Sequence, residues 1–230
     1  MSKPRLGQLV RIGLLKHTGL LLIAISGTGT FGCAAVGVAA VAAKSIEESR
    51  PKQVLAEYEG LVGKSYAVVV AADRSINAQF PTLATELTLR INDRLWLNSG
   101  ASAGVPTQDL MRYLYQHPEW TAQPYSDLAK TLSVERLVIV DLTEFRLNDP
   151  GNRYLWDGAA AGTVSVIEAD SVVPDEFVYQ KAVSIRFPDV TGVEQSQYSA
   201  QQVASVLIAR FVNRVSWAFF DHEEEPMIPY

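Results

Sequence analysis

The stretch DLAKTLSVERLVIVDLTEF, residues 127–145, combines the two kinds of secondary structure that decide this fold. Its first part has the composition of a short helix, which we expect over Ser126–Leu132. Consecutive aliphatic residues follow at 137–140, and the residues after them alternate between apolar and polar. An unbroken apolar run of this kind is typical of a strand that is buried on both faces. The stretch therefore predicts a helix followed by a central strand over Arg136–Leu147.

The N-terminal side of this stretch repeats the combination of a buried strand and helices. Ser65–Ala72 is another apolar run and predicts a second buried strand. Thr107 is the expected N-cap of a helix that ends before Pro118. Between these elements an amphipathic helix follows Pro81, because large aliphatic residues recur there at one-turn intervals, at Leu83, Leu87, Ile91 and Leu95.

The C-terminal side predicts two long strands and a helix. The strand patterns run over Tyr154–Asp170 and Phe177–Phe187. The first contains the small residues GAAAG at 158–162, which indicate a bend or close packing by a helix. Ser199 and Gln202 have the spacing of a capping box and begin the last helix.

This order of elements predicts an α+β fold in a single domain of two or three layers. A mixed sheet would be packed by helices, and a hydrophobic helix would precede the domain. The expected boundaries are a signal or membrane-anchor segment over residues 1–43, a linker over 44–63, the domain over 64–221 and a flexible tail over 222–230.

Three segments of the domain resemble a known group of proteins, and they are residues 66–73, 127–145 and 162–168. In these segments the chain resembles bacterial envelope lipoproteins with a TolB N-terminal-like fold. This group includes the curli-secretion lipoprotein CsgG and the penicillin-binding-protein activator LpoB. The resemblance covers roughly residues 64–220 and implies a non-enzymatic scaffold or assembly factor. The curli lipoprotein forms a pore with long amphipathic hairpins, and this chain has no stretch with spare residues for them.

The N-terminus has the layout of an export signal. Residues 1–17 carry basic side chains and no acid, and no charged residue occurs over Thr18–Ala43. The basic side of such a segment stays in the cytoplasm, so the domain is expected on the periplasmic side of a membrane. The only cysteine, Cys33, follows Gly32 at the end of an apolar run and resembles a lipid-attachment site, although Thr30 and Phe31 depart from the usual pattern. The alternative is an uncleaved transmembrane helix over Thr18–Ala43.

A third interpretation of the N-terminus is a nucleotide-binding enzyme. Gly27, Gly29 and Gly32 have the G-x-G-x-x-G spacing that lets a pyrophosphate approach a helix. The fingerprint needs an acidic residue at the end of the next strand, about 20 residues further on. Residues 47–50 lie where that strand should be and are mostly charged, which departs from the fingerprint. The nucleotide-binding interpretation is therefore the alternative to the export signal and not the main prediction.

Composition excludes several classes of function. The net charge is −5 and no basic block follows the N-terminus, so nucleic acid is not an expected partner. One cysteine and three histidines predict neither a metal site nor a bound cofactor, and the small-molecule ligand stays unknown. The expected partners are a membrane, through the N-terminus, and another envelope protein.

Two sets of side chains are candidates for a site. Asp141 and Glu144 lie three positions apart on the predicted central strand, and alternation along a strand would point them to opposite faces. They would then not form an acid–base pair, so no catalytic residue is predicted. An aromatic group could instead bind a protein partner, and its members are Tyr113, Tyr115, Trp120 and Tyr125.

Overall fold

Five strands form the central sheet of this computed structural model, which describes residues 51–224. Residues 51–224 contain seven strands, of which the first and last pair with each other outside the central sheet. They are β1 (Lys52–Val54), β2 (Ser65–Ala72), β3 (Ala103–Gly104), β4 (Arg136–Arg146), β5 (Gly158–Glu168), β6 (Phe177–Phe187) and β7 (His222–Glu224). The α-helices are α1 (Arg74–Gln79), α2 (Leu83–Asn98), α3 (Thr107–Gln116), α4 (Tyr125–Thr131) and α5 (Ala200–Ser216). Short 3₁₀ helices cover Pro118–Ala122 and Trp217–Phe219.

The sheet is mixed, as the sequence predicts. Its order is β3-β2-β4-β5-β6; β2 runs parallel to β3 and β4, while β4, β5 and β6 are antiparallel in sequence order. The two apolar runs found in the sequence lie side by side, with Val68 opposite Val138 and Val70 opposite Val140. Both runs are buried because helices cover both faces of the sheet at this point.

Two hydrophobic cores lie on opposite faces of the sheet. The first is formed with α2 and α5 and contains Val68, Val138, Val164, Leu207 and Phe211. The second is smaller, lies under α3 and α4, and contains Val69, Leu110, Leu128, Leu137 and Ile139. The fold therefore has three layers over β2 and β4. Over β6 it has two layers, since the β6 residues on the second face are exposed.

The sequence located the long helices well. Leu83, Leu87, Ile91 and Leu95 are all buried on one side of α2. The capping box of α5 is present: the Ser199 hydroxyl accepts from the Gln202 amide at 3.2 Å, and the Gln202 side-chain oxygen accepts from the Ser199 amide at 2.8 Å. Two reciprocal bonds of this kind satisfy amide groups that a helix start otherwise leaves unpaired.

Two local predictions differ from the structure. Thr107 is the first residue of α3 and not its N-cap, because Pro106 takes the cap position and its carbonyl accepts from the Leu110 amide at 3.1 Å. Helix α1 was not predicted. It is only one and a half turns long and buries Ile76 alone, so its sequence carries no helical periodicity.

The boundaries expected for the linker and the tail were wrong. Strand β1 lies in the expected linker and pairs antiparallel with β7, at the start of the expected tail, with Lys52 opposite Glu224 and Val54 opposite His222. Leu61, also in the expected linker, is completely buried in the first core. Residues 52–63 and 222–224 therefore belong to the folded unit.

The predicted N-terminal features lie outside the described residues. They are the hydrophobic helix and anchor over 1–43, Cys33, and the glycine motif at 27–32. Among residues 51–224, none of the helices has the length and apolar character that crossing a membrane requires.

Candidate functional site

The four aromatic residues predicted to bind a partner lie in different environments. Tyr113, Trp120 and Tyr125 are half-buried and pack against the second core. The ring of Tyr113 also stacks on His117, with 4.3 Å between the ring centroids. Tyr115, by contrast, is 89% exposed. Tyr115 is therefore the member of this set that projects into solvent, while the other three help to hold α3 and α4 on the sheet.

The prediction that Asp141 and Glu144 point to opposite faces was wrong. A β-bulge interrupts β4 between Leu142 and Glu144, so Thr143 is an extra residue relative to β5. Leu142 and Phe145 consequently both enter the first core although they are three positions apart. The residues that alternate with them, Asp141 and Glu144, share the opposite face of the sheet.

The bulge does not create an acid–base pair from these carboxylates. Glu144 lies 2.7 Å from the guanidinium of Arg146, measured between Oε1 and Nε. Arg146 also contacts Asp149 and Asp157 at the same end of the sheet. Glu144 is thus held in a local charge network. Within residues 51–224, no three His, Cys, Asp or Glu side chains are grouped so that they could hold a metal ion.

A second charge network lies at the opposite end of the sheet, around Arg136. Arg136 is only 6% exposed. It donates to the Gly60 carbonyl at 3.1 Å and to its neighbouring Glu135 carbonyl at 2.9 Å, and it contacts the carboxylate of Asp170. Glu168 lies 3.5 Å from the Arg136 Nε. Arg136 therefore joins the start of β4, the end of β5 and the segment before β2.

Lys64 and Tyr58 extend this network. The Lys64 ammonium donates to Glu135 at 2.8 Å and to Asp170 at 3.0 Å. The Tyr58 hydroxyl donates to Glu168 at 2.8 Å, and burial raises the pKa of that hydroxyl. Hydrogen bonds from Lys64 hold the pKa of Asp170 and the pKa of Glu135 below their ordinary values of 3.8 and 4.5. The carboxylates of Asp170 and Glu135 are therefore ionised at neutral pH.

The depressed pKa values predict that the domain loses stability in acid. The unfolded chain binds protons at these carboxyls near pH 4, before the folded chain does, so stability falls as the pH drops from about 5 towards 3. We expect the urea midpoint to decrease over this range and to stay nearly constant between pH 6 and 8. The slope should be smaller in Lys64→Met, because that variant lacks the main cause of the depressed pKa values. An equal slope in both proteins would contradict this account.

A shallow hollow of about 430 Å³ lies at the N-terminal end of α5. Phe187 and Tyr198 form its apolar side, and Ser199 and Gln202 contribute polar atoms. These two polar side chains already bond to each other's backbone in the capping box. The capping role of Ser199 and Gln202 therefore accounts for the polar atoms of this hollow.

No known protein family matches the sequence, and no curated protein matches it. Solved structures that are similar include a PelC dodecamer from Paraburkholderia phytofirmans, at 12% identity over 74% of this chain and 97% of that chain, with a TM-score of 0.43. Lipoprotein GNA1162 from Neisseria meningitidis is similar at 12% identity over 66% of this chain and 97% of that one, with a TM-score of 0.44. The LpoB C-terminal domain from Salmonella enterica is similar at 15% identity over 54% and 83% of the two chains, with a TM-score of 0.35.

Proposed function

We propose that this chain is an exported, membrane-anchored protein whose domain serves as a non-enzymatic binding or scaffolding component of the cell envelope. The observation that carries the proposal is the N-terminal charge pattern. Residues 1–17 are basic without an acid, and Thr18–Ala43 are uncharged. Such a segment directs the following domain across a membrane while its basic end stays in the cytoplasm. The domain would then lie on the periplasmic side.

Lipid attachment at Cys33 is the form of anchor that we propose. Cys33 is the only cysteine, follows a small residue and ends an apolar run. A lipidated cysteine with two acyl-type signals gives stable anchoring, which a single chain does not. The uncleaved helix over Thr18–Ala43 is the competing form of the same membrane attachment.

The arrangement of charges in the domain supports a binding role. Carboxylates at both ends of the sheet are engaged by cations of the same chain: Glu144 and Asp157 by Arg146, and Glu168 and Asp170 by Arg136.

The aromatic set offers a contact for another envelope protein. In that set Tyr115 would be the exposed anchor, and Tyr113, Trp120 and Tyr125 would support the helices beneath it. Exposed tyrosines of this kind are enriched where proteins bind each other.

Metabolic labelling with a fatty-acid analogue such as alkynyl palmitate tests the proposed attachment. The wild-type chain should carry the label and sediment with membranes, whereas Cys33→Ser should lose the label and appear in the soluble fraction. Equal abundance of both proteins controls for degradation of the variant.

Two other outcomes are informative. A variant that stays in the membrane, together with a wild type that takes up no label, would contradict lipidation and favour the spanning helix. A wild-type chain found entirely in the cytoplasmic fraction would overturn export itself. The sedimentation and labelling assays thus separate the type of anchor from membrane attachment as such.

A further inference from the structure

One end of the domain, which we call the tether end, receives the chain from the N-terminal segment. It contains β1, the C-terminal ends of α2 and α5, and the loop between β5 and β6. Two hydrogen bonds join these segments: the Gly63 amide donates to the Gly100 carbonyl at 2.9 Å, and the Ala56 amide donates to the Asp221 carboxylate at 2.8 Å. The loop after β5 lies at this end because Glu168, at the end of β5, is opposite Arg136 at the start of β4.

Several large apolar side chains are exposed at the tether end. Leu97 is 77% exposed, Leu55 is 73%, Val62 is 62% and Trp96 is 55%. Val62 lines a hollow of about 340 Å³ together with Ala56 and Asn98, which follow Leu55 and Leu97 in the chain. The loop between β5 and β6 adds the exposed side chains of Val172 and Val173. Exposed apolar groups that gather on one side of a domain mark a surface that contacts something apolar.

We infer that the tether end rests on the surface of the lipid bilayer, with Trp96 and the neighbouring leucine and valine side chains at the interface. This inference rests on the proposed membrane attachment. Residues 44–51 separate the uncharged run from β1 and span at most about 30 Å when fully extended. With the anchor at Cys33, residues 34–51 span at most about 60 Å. In either case the covalent connection joins the domain at this end, so this end can reach the membrane.

Tethering makes a weak contact effective. A short covalent connection gives an attached group an effective concentration in the millimolar range, so a small apolar surface is populated at the membrane without strong intrinsic affinity. Tryptophan suits this position because its ring is amphipathic and prefers the region of the lipid headgroups. The leucine and valine side chains add apolar area that insertion removes from water.

The charges at the tether end favour a neutral lipid surface over an anionic one. Glu59 and Asp221 border the hollow that Val62 lines. Lys64, which could otherwise attract lipid phosphates, is engaged by Glu135 and Asp170. We therefore expect the contact to depend on apolar insertion, and vesicles of neutral phosphatidylcholine are the appropriate probe.

Quenching by brominated lipid tests this contact. The full chain is reconstituted into phosphatidylcholine vesicles with plain or brominated acyl chains, and tryptophan emission is compared. Because Trp96 is one of four tryptophans, we expect bromination to remove up to about a quarter of the emission of the wild type, and that loss should be absent in Trp96→Phe.

A matched control moves the tryptophan to the opposite end of the domain. Tyr154 is 82% exposed and lies between β4 and β5, at the far end of the strands. The double variant Trp96→Phe/Tyr154→Trp should behave like Trp96→Phe, with no added quenching. Quenching of the new tryptophan equal to that of Trp96 would indicate adsorption in every orientation and would overturn the inference.

The remaining outcomes separate this inference from the membrane attachment on which it rests. Vesicles that float with the protein but leave Trp96 unquenched would refute the contact while the attachment stands. Protein that does not float with the vesicles would refute the attachment. A blue-shifted Trp96 emission without quenching would place this residue against a second copy or another protein, and would also overturn the contact with lipid.

Discussion

Gly162→Val should lower the free energy of unfolding of the domain by about 3 kcal/mol, because overpacking at a rigid position costs about this much. A Cβ atom at this position would lie 2.5 Å from the carbonyl oxygen of Asp141 and 3.2 Å from the Cα of Leu142. Both atoms belong to the backbone of β4 at the bulge, so a side chain cannot be accommodated by rotating a neighbour. Urea unfolding, followed by tryptophan fluorescence, measures the change.

Ala161→Ser is the matched control for this substitution. Ala161 is the preceding residue of β5, points to the other face of the sheet and is half-buried. We expect its unfolding midpoint to stay close to that of the wild type. If Gly162→Val unfolded at the wild-type urea concentration, the tight approach of β4 and β5 at the bulge would be contradicted.

Arg136→Met should lower the free energy of unfolding by about 2 to 3 kcal/mol, somewhat less than for a fully buried ion pair because the carboxylates around it are partly exposed. The methionine fills much of the space but donates no hydrogen bond. The Gly60 carbonyl then loses a donor, and Glu168 and Asp170 lose a cation. The segment before β2 should loosen together with the end of β5.

Arg112→Met provides the comparison for Arg136→Met. Arg112 pairs with Asp109 on α3, and the two side chains are 65% and 57% exposed. Exposed pairs of this kind contribute little, so a change below about 0.5 kcal/mol is expected. Equal losses in the two variants would show that burial of Arg136 adds nothing to its ion pairs.

The packing around the small residues of β5, GAAAG at 158–162, was predicted in part from the local sequence. Their presence predicted a bend or close packing by a helix, and the structure shows the close packing. A Cβ at Gly158 would lie 2.8 Å from the Cδ1 of Leu207 on α5, so this glycine allows the helix to approach the sheet. Gly162 faces the bulge of β4 instead. The sequence indicated that space is limited here but not which neighbour limits it.

The candidate site was predicted less well than the fold. The face on which Asp141 and Glu144 lie depends on one extra residue in β4 relative to β5, and strand alternation read from β4 alone gives the opposite result. The exposure of the aromatic residues also followed from packing on the second core. Only Tyr115 of that set projects into solvent, although all four were predicted as one partner-binding group.

By itself the sequence determined the α+β class, the buried strands β2 and β4, and the helices α2 and α5. Burial on both faces, one-turn periodicity and a capping box are properties of neighbouring residues, so each is visible within a short segment. Only the tertiary structure decided that β1 pairs with β7, that Arg136 closes one end of the sheet, and that exposed apolar residues gather where the chain enters the domain. These features join segments that are far apart in the chain, and no local pattern encodes which distant partner a residue will meet.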